Sequence, residues 1–266
     1  MLQMNSQEDP EANAQFILDQ IKDKSQDVDF VIAPENCLFC GQQNKIKPNC
    51  DIIFDTVLPQ MSKQLPADLP VILGGVPMKS QDPKRFYNCW LSHQNGGWQN
   101  VYQKQKLFRA EVPGQRSYTE SENFIPGTDC KVLNLFSKEK KLFRLGASIC
   151  FDLRFGDIYN QESAMGADIL TVPSAFTQLT GEAHWHVLLR ARAIENQTFV
   201  VAPAQVGVAP GDRLAYGHSL VVDPWGRVLF DAEEKVGGFI IELDLDLITT
   251  ARQHIVMNEK VNLTQN

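Results

Sequence analysis

The sequence predicts an α/β domain built in layers around a mixed sheet. Short apolar runs alternate with amphipathic segments, two hairpin patterns interrupt that alternation, and no linker or shift of composition divides the chain. A sheet that combines hairpins with helix-connected strands contains both antiparallel and parallel pairs. We therefore expect residues 1–266 to form one domain, with the polar tail after residue 255 extended or crossing to a partner.

The first half of the chain is predicted to hold one helix, two buried strands and a hairpin. Asp9 and Pro10 are typical of an N-cap and a first helical residue, and apolar residues then recur every three or four positions as far as residue 21. The runs at 29–34 and 68–77 are apolar throughout, as expected of buried strands. Residues 86–104 have the pattern of a hairpin, with two strand-like runs around an Asn-Gly-Gly turn.

The second half of the chain is predicted to alternate strands and helices after another hairpin. The runs "KVLNLF" and "LFRLGASIC" flank the charged turn "SKEKK", so the second strand of this hairpin is predicted to end at Cys150. The chain is predicted to close with three strand-like runs, "YGHSLVVD", "VLFDA" and "GGFIIELDLD". The elements between are a helix at about 157–165, a strand at 168–174, a helix at about 182–197 and a strand at 198–205.

Composition excludes several classes of partner. Asp and Glu (32) outnumber Lys and Arg (25), and this net charge of −7 argues against a nucleic-acid partner. No apolar run approaches the roughly 18 residues that span a bilayer, and the N-terminus has no secretory signal pattern. Six cysteines are too few for a disulfide scaffold, so we expect reduced thiols in a cytoplasmic protein.

Cys150 is the most informative cysteine, because a small-residue strand pattern precedes it and a polar stretch follows it. From residue type alone it could fill the core, form half of a disulfide, bind a metal or act as a nucleophile, and packing is the commonest of these. A nucleophilic thiol needs a base and a stabiliser for the oxyanion. Glu35 and Lys104 also follow predicted strands and could supply these roles, although spacing alone does not bring the three together.

Three separated motifs carry a resemblance to a known family. They are "VIAPENCL" around Glu35, "VYQKQKLFRAEVPG" around Lys104 and "GASICFDLRFGDIY" around Cys150. In this order the chain resembles the nitrilase superfamily of carbon–nitrogen hydrolases over nearly its whole length. The resemblance implies a four-layer α-β-β-α sandwich and a homodimer, or higher homo-oligomer, that pairs through helices.

The resemblance also implies the roles of individual residues. Glu35 would be the general base for the Cys150 thiol, and Lys104 would stabilise the oxyanion together with the backbone N–H of Phe151. Glu120, in "SYTESENFIPG", matches a second family glutamate that orients the site. The implied reaction is hydrolysis of a small-molecule amide through a thioester acyl-enzyme, with neither a metal nor an organic cofactor.

A narrower resemblance is carried by "PSAFTQLTGEAHWHVLLRARAIENQ" and "YGHSLVVDPWG", which are similar to the Nit branch and its deaminated glutathione amidases. These enzymes release 2-oxoglutarate and cysteinylglycine, so their leaving group is a dipeptide amine. Arg154 matches a carboxylate-binding arginine of the family, and Phe176 and Thr180 match pocket positions. Sibling activities remain alternatives: an ω-amidase for 2-oxoglutaramate, an N-carbamoyl amino acid hydrolase, or a non-enzymatic scaffold.

For two local patterns we favour a structural role over metal binding or redox chemistry. Cys37 and Cys40 form a CxxC, but no second ligand pair for zinc stands at a suitable spacing, and the context is not that of a redox motif. His184 and His186 are two residues apart on a predicted helix, so their side chains diverge and a shared metal is not expected. His184 is predicted to make a structural hydrogen bond.

Some residues near the predicted pocket depart from the family pattern. Lys106 stands where histidine is common, Gly156 where proline is frequent and His186 where glutamate often stands. None of them removes a predicted catalytic residue.

Arg192 lies on the apolar stripe of its helix, and a buried arginine needs an anionic partner, so we expect a structural ion pair.

Overall fold

Two β-sheets lie at the centre of the structure. A computed structural model describes residues 1–22, 24–110 and 118–257. In chain order the strands are β1 (Leu2–Gln3), β2 (Val31–Ala33), β3 (Val71–Lys79), β4 (Phe86–Gln94), β5 (Gly97–Gln103), β6 (Arg109–Ala110), β7 (Tyr118–Thr119), β8 (Val132–Phe136), β9 (Leu142–Ala147), β10 (Ile169–Thr171), β11 (Phe199–Ala202), β12 (Val206–Ala209), β13 (Arg213–Tyr216), β14 (Leu220–Val222), β15 (Val228–Asp231) and β16 (Gly237–Gly238).

Both central sheets are mixed, as predicted. One has the strand order β2-β3-β4-β5, with β2 parallel to β3 and the other pairs antiparallel. The other has the order β15-β14-β11-β10-β9-β8, in which β9, β10 and β11 are parallel. Its remaining pairs are antiparallel.

Helices cover the outer faces of both sheets. Each outer face has its own apolar cluster of helix and strand residues. Ile17 and Met61 pack with β3 of the smaller sheet, and Tyr159 and Trp185 pack with β11 of the larger one. The helices are α1 (Pro10–Lys22), α2 (Ile46–Ile52), α3 (Leu58–Gln64), α4 (Gly156–Ala164), α5 (Gln178–Asn196) and α6 (Asp246–His254), with 3₁₀ turns at Gln43–Lys45, Glu120–Glu122 and Cys150–Arg154 and a π-helical segment at Ile53–Val57.

The inner faces of the two sheets form a third apolar cluster. Ile72 and Trp90 of the smaller sheet meet Leu145 and Phe199 of the larger one, and all four are buried. Alternate residues of each strand point to opposite faces, so the same strands supply both an inner and an outer core. The layers are therefore helix, sheet, sheet and helix, which confirms the four-layer α-β-β-α sandwich.

Local signals predicted several elements correctly. Asp9 caps α1, because its Oδ1 accepts the N–H groups of Glu11 and Ala12 at 3.0 and 3.1 Å. Both hairpins are present, as β4–β5 and β8–β9. Among the described residues, no helix combines the length and apolar character that crossing a bilayer requires.

Other elements differ from the prediction. The helical run from residue 46 to 64 was not predicted, because Pro48 and Pro59 are typical of helix ends. Pro48 lies in the first turn of α2, where a missing N–H costs nothing, and Pro59 follows the π-helical segment inside the continuous helical run. The predicted strand "GGFIIELDLD" is too long: Gly237–Gly238 pair with β1, and the backbone pairing ends with the hydrogen bonds between Phe239 and Met1. The tail after residue 255 is described only as far as Met257.

Cys150 does not end a strand, which corrects the prediction. Strand β9 ends at Ala147, and Cys150 is the first residue of a 3₁₀ turn. Its backbone is left-handed, with φ of 49°. This conformation is strained for a residue with a side chain, and such strain persists only where surrounding contacts enforce it. Helix α5 also begins at Gln178, four residues before the predicted start.

Candidate active site

Glu35, Lys104 and Cys150 meet in one pocket, although they come from distant parts of the chain. Glu35 follows β2, Lys104 directly follows β5, and Cys150 follows β9. The pocket has a volume of about 630 Å³ including its open mouth. The structure thus brings together the three residues that sequence spacing left apart.

Lys104 lies between two buried carboxylates. Its Nζ is 2.9 Å from Glu35 Oε1, 2.9 Å from Glu120 Oε1 and 3.0 Å from Glu120 Oε2. The side chain of Lys104 is only 2% exposed, and those of Glu35 and Glu120 are each 5% exposed. Two anions offset the cost of burying this ammonium, so its position is tightly specified.

Glu35 is held from several sides. Asn88 Nδ2 donates to Glu35 Oε1 at 3.1 Å and to Glu120 Oε1 at 3.4 Å. The backbone N–H of Ala175 donates to Glu35 Oε2 at 3.1 Å. Cys150 lines the same pocket, close enough for the charges of Glu35 and Lys104 to affect the pKa of its thiol. Glu35 therefore lies beside both the thiol and the ammonium.

The charges of these groups follow from their contacts. Burial by itself favours the neutral form of Glu35, but the attraction and hydrogen bonds of Lys104 hold the pKa of this carboxyl below its usual value. Burial likewise disfavours the Lys104 ammonium, yet Glu120 and Glu35 raise its pKa well above the ordinary value. Burial, and then the Glu35 charge, raise the pKa of Cys150 well above the value of a free thiol. At neutral pH the site holds a carboxylate beside a neutral thiol, which is the arrangement that general-base catalysis needs.

Backbone contacts fix the turn that carries Cys150. The Cys150 N–H donates to the carbonyl of Pro173 at 2.9 Å. The next residue, Phe151, lies in the first turn of the 3₁₀ helix, where N–H groups have no partner within the helix. An N–H in this position is open to an oxyanion formed next to Cys150.

Asp152 ties the Cys150 turn to the segment that carries Lys104. Its carboxylate accepts the Tyr102 hydroxyl at 2.7 Å and the N–H groups of Lys106 and Ile149 at 2.8 and 2.9 Å. Burial raises the pKa of Asp152 to about 6, against the opposing effect of the Tyr102 hydrogen bond. Sequence reasoning missed this role, because Tyr102 and Lys106 lie far from Asp152 along the chain.

Glu120 also organises a loop. Its Oε2 accepts the Phe108 N–H at 2.7 Å, and its own N–H donates to the Phe108 carbonyl at 2.9 Å. Glu120 thus fixes the loop after Lys104 as well as the ammonium itself. The part of the Lys104 motif from residue 111 to 114 lies outside the described residues.

Arg154, Phe176 and Thr180 all line the pocket, where the resemblance places them. The Arg154 guanidinium lies 5.5 Å from the Phe176 ring centre and 5.8 Å from that of Phe151. Arg154 Nη2 is 3.3 Å from His184 Nδ1, so the predicted hydrogen bond of His184 is present. Aromatic faces and an imidazole thus position a cation at the pocket wall.

Among the polar pocket residues that sequence reasoning missed are Asn88 and Arg213. Asn88 lies within β4 and Arg213 at the start of β13, and neither was singled out from the sequence. Arg213 Nη2 lies 3.9 Å from Cys40 Sγ. The pocket therefore holds a second guanidinium, on the β12–β13 hairpin.

The structure also tests the predictions for the cysteines and Arg192, and shows what surrounds Gly156. All six cysteines are free thiols, and burial raises the pKa of Cys37 to about 12. Arg192 pairs with Glu195 and donates to the Leu153 carbonyl at 3.1 Å, which confirms a structural ion pair. A Cβ on Gly156 would lie 3.1 Å from the Arg192 guanidinium, so this glycine leaves room for the buried arginine.

Two of the residues that depart from the family pattern have defined contacts. The Lys106 ammonium lies 5.0 Å from the centre of the Phe155 ring. His186 Nε2 lies 3.0 Å from Asp231 Oδ2. Neither residue contacts the Lys104 ammonium, so they leave the buried charge cluster intact.

The fold, and the pocket in which Cys150, Glu35 and Lys104 meet, are those expected of a hydrolase that uses a cysteine. The sequence model of the carbon-nitrogen hydrolase family matches residues 1–253. The chain belongs to the carbon–nitrogen hydrolase family. It is an amidase of that family.

Relatives and solved structures agree with this assignment. The chain is 36% identical over 235 residues to a deaminated glutathione amidase of Synechocystis sp., which is 86% of this chain and 85% of the relative. It is similar to the C. elegans NitFhit protein, with a TM-score of 0.82 and 35% identity over 95% of this chain, and spans 62% of that protein. Saccharomyces cerevisiae Nit3, a member of branch 10 of the nitrilase superfamily, matches 98% of this chain and 94% of its own, with a TM-score of 0.75 and 26% identity.

Proposed function

We propose that the protein hydrolyses deaminated glutathione to 2-oxoglutarate and cysteinylglycine through a thioester on Cys150. The observation that carries this proposal is that Cys150 lines one pocket with Glu35, a carboxylate held 2.9 Å from the Lys104 ammonium. The name of the Synechocystis relative supports the substrate.

The first half-reaction forms the acyl-enzyme. Glu35 accepts the Cys150 proton as the sulfur attacks the amide carbon. The oxygen that becomes negative is stabilised by the Lys104 ammonium and by the Phe151 N–H. Glu35 then gives its proton to the leaving nitrogen, the C–N bond breaks, and cysteinylglycine departs as a neutral amine.

The second half-reaction restores the enzyme. Glu35 accepts a proton from water, and the resulting hydroxide attacks the thioester carbon. The carbon–sulfur bond breaks, 2-oxoglutarate leaves, and Glu35 returns the proton to Cys150. Each turnover therefore consumes one amide and one water and leaves Glu35 and Cys150 as they began.

The two arginines of the pocket fit a substrate with two carboxylates. Deaminated glutathione has a 2-oxo acid at one end and a glycine carboxylate at the other. We assign the 2-oxo acid end to Arg154, with Phe176 and Thr180 beside it, and the glycine carboxylate to Arg213. A guanidinium can bind a carboxylate through two parallel hydrogen bonds, which gives orientation as well as affinity.

The test compares kcat/KM for deaminated glutathione with that for 2-oxoglutaramate and an N-carbamoyl amino acid. We expect deaminated glutathione to be preferred, and Arg213→Gln to reduce that preference. Equal loss on both 2-oxo amides would remove Arg213 from the assignment. A strong preference for 2-oxoglutaramate or the carbamoyl compound would identify a sibling amidase, and no turnover of any amide would favour a scaffold.

We also propose that two copies pair through α5. Leu179, Val187 and Ile194 are 58%, 68% and 42% exposed, and their spacing places them on one side of the helix. Exposed apolar residues grouped in this way are typical of protein interfaces. Light scattering should give a dimer for the wild type and a monomer for Val187→Glu. A monomeric wild type would contradict this proposal.

Six free thiols fit a reducing compartment, so we propose a cytoplasmic location. Fractionation of the source cells would test it. Recovery in an oxidising compartment would contradict it.

A further inference from the structure

Three side chains that commonly ligate metals converge outside the candidate active site. They are His186 on α5, His218 in the segment before β14, and Asp231 at the end of β15. His186 Nε2 is 3.0 Å from Asp231 Oδ2, and His218 Nδ1 is 3.1 Å from each carboxylate oxygen. One ligand atom from each residue lies within 4.8 Å of the other two.

Two of the three separations are close to those around a tetrahedral ion. Zinc–nitrogen and zinc–oxygen bonds of about 2.0–2.1 Å place neighbouring ligand atoms about 3.3 Å apart. The observed 3.0 and 3.1 Å between the imidazole nitrogens and Asp231 need only a small outward movement. Three protein ligands leave a fourth position for water.

The same atoms make hydrogen bonds in the absence of an ion, and the two states exclude each other. An imidazole nitrogen that donates a proton to Asp231 has no lone pair for a metal. Metal binding would therefore release the proton or move it to the other ring nitrogen. A metal would replace the hydrogen bonds with bonds to one ion between the same three side chains.

The surrounding contacts hold the ligands in place. The backbone N–H of His218 donates to the Glu233 carbonyl at 2.7 Å, and the His218 carbonyl accepts the Trp185 indole N–H at 2.8 Å. The His218 ring stacks on Tyr216 at 4.3 Å. Asp231 Oδ1 accepts the Glu233 N–H at 2.8 Å. Such outer contacts orient ligands before a metal arrives.

Exposure and charge also fit a metal. The side chains of His186, His218 and Asp231 are 34%, 23% and 26% exposed, so an ion can reach them from solvent. Two imidazoles and one carboxylate favour zinc and related transition metals over magnesium or calcium, which prefer all-oxygen sites.

We propose that His186, His218 and Asp231 bind one divalent transition-metal ion of the zinc type, with water as the fourth ligand. The ion would join α5 to β15 and to the segment before β14. This places it near the pocket wall, because His184, two residues before His186 on α5, contacts Arg154. The role is structural and lies outside the proposed amide hydrolysis.

The test measures zinc affinity by competition with a chromophoric chelator. All proteins carry Cys150→Ala, so that the pocket thiol cannot ligate zinc. We expect one zinc per chain, and an affinity at least about tenfold lower in His186→Gln and Asp231→Asn. His254→Gln is the matched control, because this exposed histidine lies on α6 outside the cluster, and we expect it to keep the parent affinity.

A second measurement does not depend on the folding of the variants. X-ray absorption of the zinc-loaded Cys150→Ala protein should show a first shell of nitrogen and oxygen with two imidazoles. Sulfur in that shell, or zinc affinity equal in parent, His186→Gln and Asp231→Asn, would overturn the proposal. So would the absence of stoichiometric zinc binding, which would leave a hydrogen-bonded His–Asp–His cluster.

Discussion

The Lys104 ammonium lies 2.9 Å from the Glu35 carboxylate, and both side chains are almost fully buried. This contact keeps Glu35 ionised beside a thiol whose own pKa is raised. The proposed mechanism requires the pKa of the Glu35 carboxyl to lie below that of the Cys150 thiol. A base that is ionised before the substrate arrives can take the thiol proton during the attack.

Glu120→Gln should lower kcat by about ten- to hundredfold, less than the loss of a direct oxyanion donor costs. Glu120 is the second carboxylate on Lys104, and the amide would remove its charge while preserving its shape. Steady-state kinetics at constant pH measures the effect.

Glu122→Gln is the control for that prediction, because this neighbour is exposed in the same 3₁₀ turn. It should retain wild-type kcat. Wild-type kcat in Glu120→Gln would show that the ammonium needs only Glu35.

In Glu35→Gln, Cys150 should become easier to alkylate while hydrolysis is lost. Burial first, and then the Glu35 charge, raise the pKa of the thiol, whereas Lys104 lowers it. Removing the carboxylate charge therefore lowers the pKa, and alkylation by iodoacetamide should reach its half-maximal rate at a lower pH than in the wild type. Hydrolysis should nevertheless be lost, because no base remains to carry the proton to the leaving amine.

Lys104→Met should shift the pH dependence of Cys150 alkylation in the opposite direction. It removes the cation that favours the thiolate, so the alkylation profile should move to higher pH. An unchanged profile in both variants would mean that Cys150 does not sense the two charges.

Arg154→Gln should raise KM for 2-oxo acid amides and lower their kcat/KM by about 10- to 100-fold. A charge-assisted hydrogen bond contributes about 1.5–3 kcal/mol. An uncharged amide of similar size should lose little, because it has no carboxylate to bind. Arg252→Gln on α6 is an exposed matched control, and equal losses on charged and uncharged amides would exclude carboxylate binding by Arg154.

Asp152 should make the free energy of unfolding depend on pH. Its pKa is about 6 in the folded protein, above the ordinary value of 3.8, so the folded state holds this proton more tightly than the unfolded chain does. The stability it contributes is present below about pH 4 and is lost as the pH rises to about 6. That difference is worth about 3 kcal/mol.

Urea unfolding of the wild type and Asp152→Asn measures this effect. The stability of the wild type relative to the variant should fall from pH 4 to pH 7. A constant difference over that interval would show that Asp152 does not titrate there.

Sequence patterns predicted the elements whose ends are determined by neighbouring residues. They missed those whose ends are determined by contacts with residues far along the chain. Asp9 and Pro10 specify the start of α1 by themselves. The Cys150 turn was misplaced because its left-handed backbone depends on Pro173 and on the contact between Asp152 and Lys106. No pattern around Cys150 contains this information.

The candidate site shows the same division. Motifs and resemblance identified Glu35, Lys104, Glu120 and Cys150, because each stands in a distinctive stretch of sequence. Asn88 has no motif, since its role comes from lying across the sheet from two carboxylates. For the same reason Arg213, on a hairpin of its own, could be found only from the structure of the pocket.

The most direct test of the central claim is mass spectrometry of the intact enzyme, quenched in acid during turnover of deaminated glutathione. A 2-oxoglutaryl group should be attached, and peptide mapping should place it on Cys150 as a thioester. Cys150→Ala should carry no added mass, and the control variant Cys130→Ala, which changes a free thiol outside the pocket lining, should carry the group as the wild type does. An acyl group on another residue, or turnover by Cys150→Ala at the wild-type rate, would contradict the account.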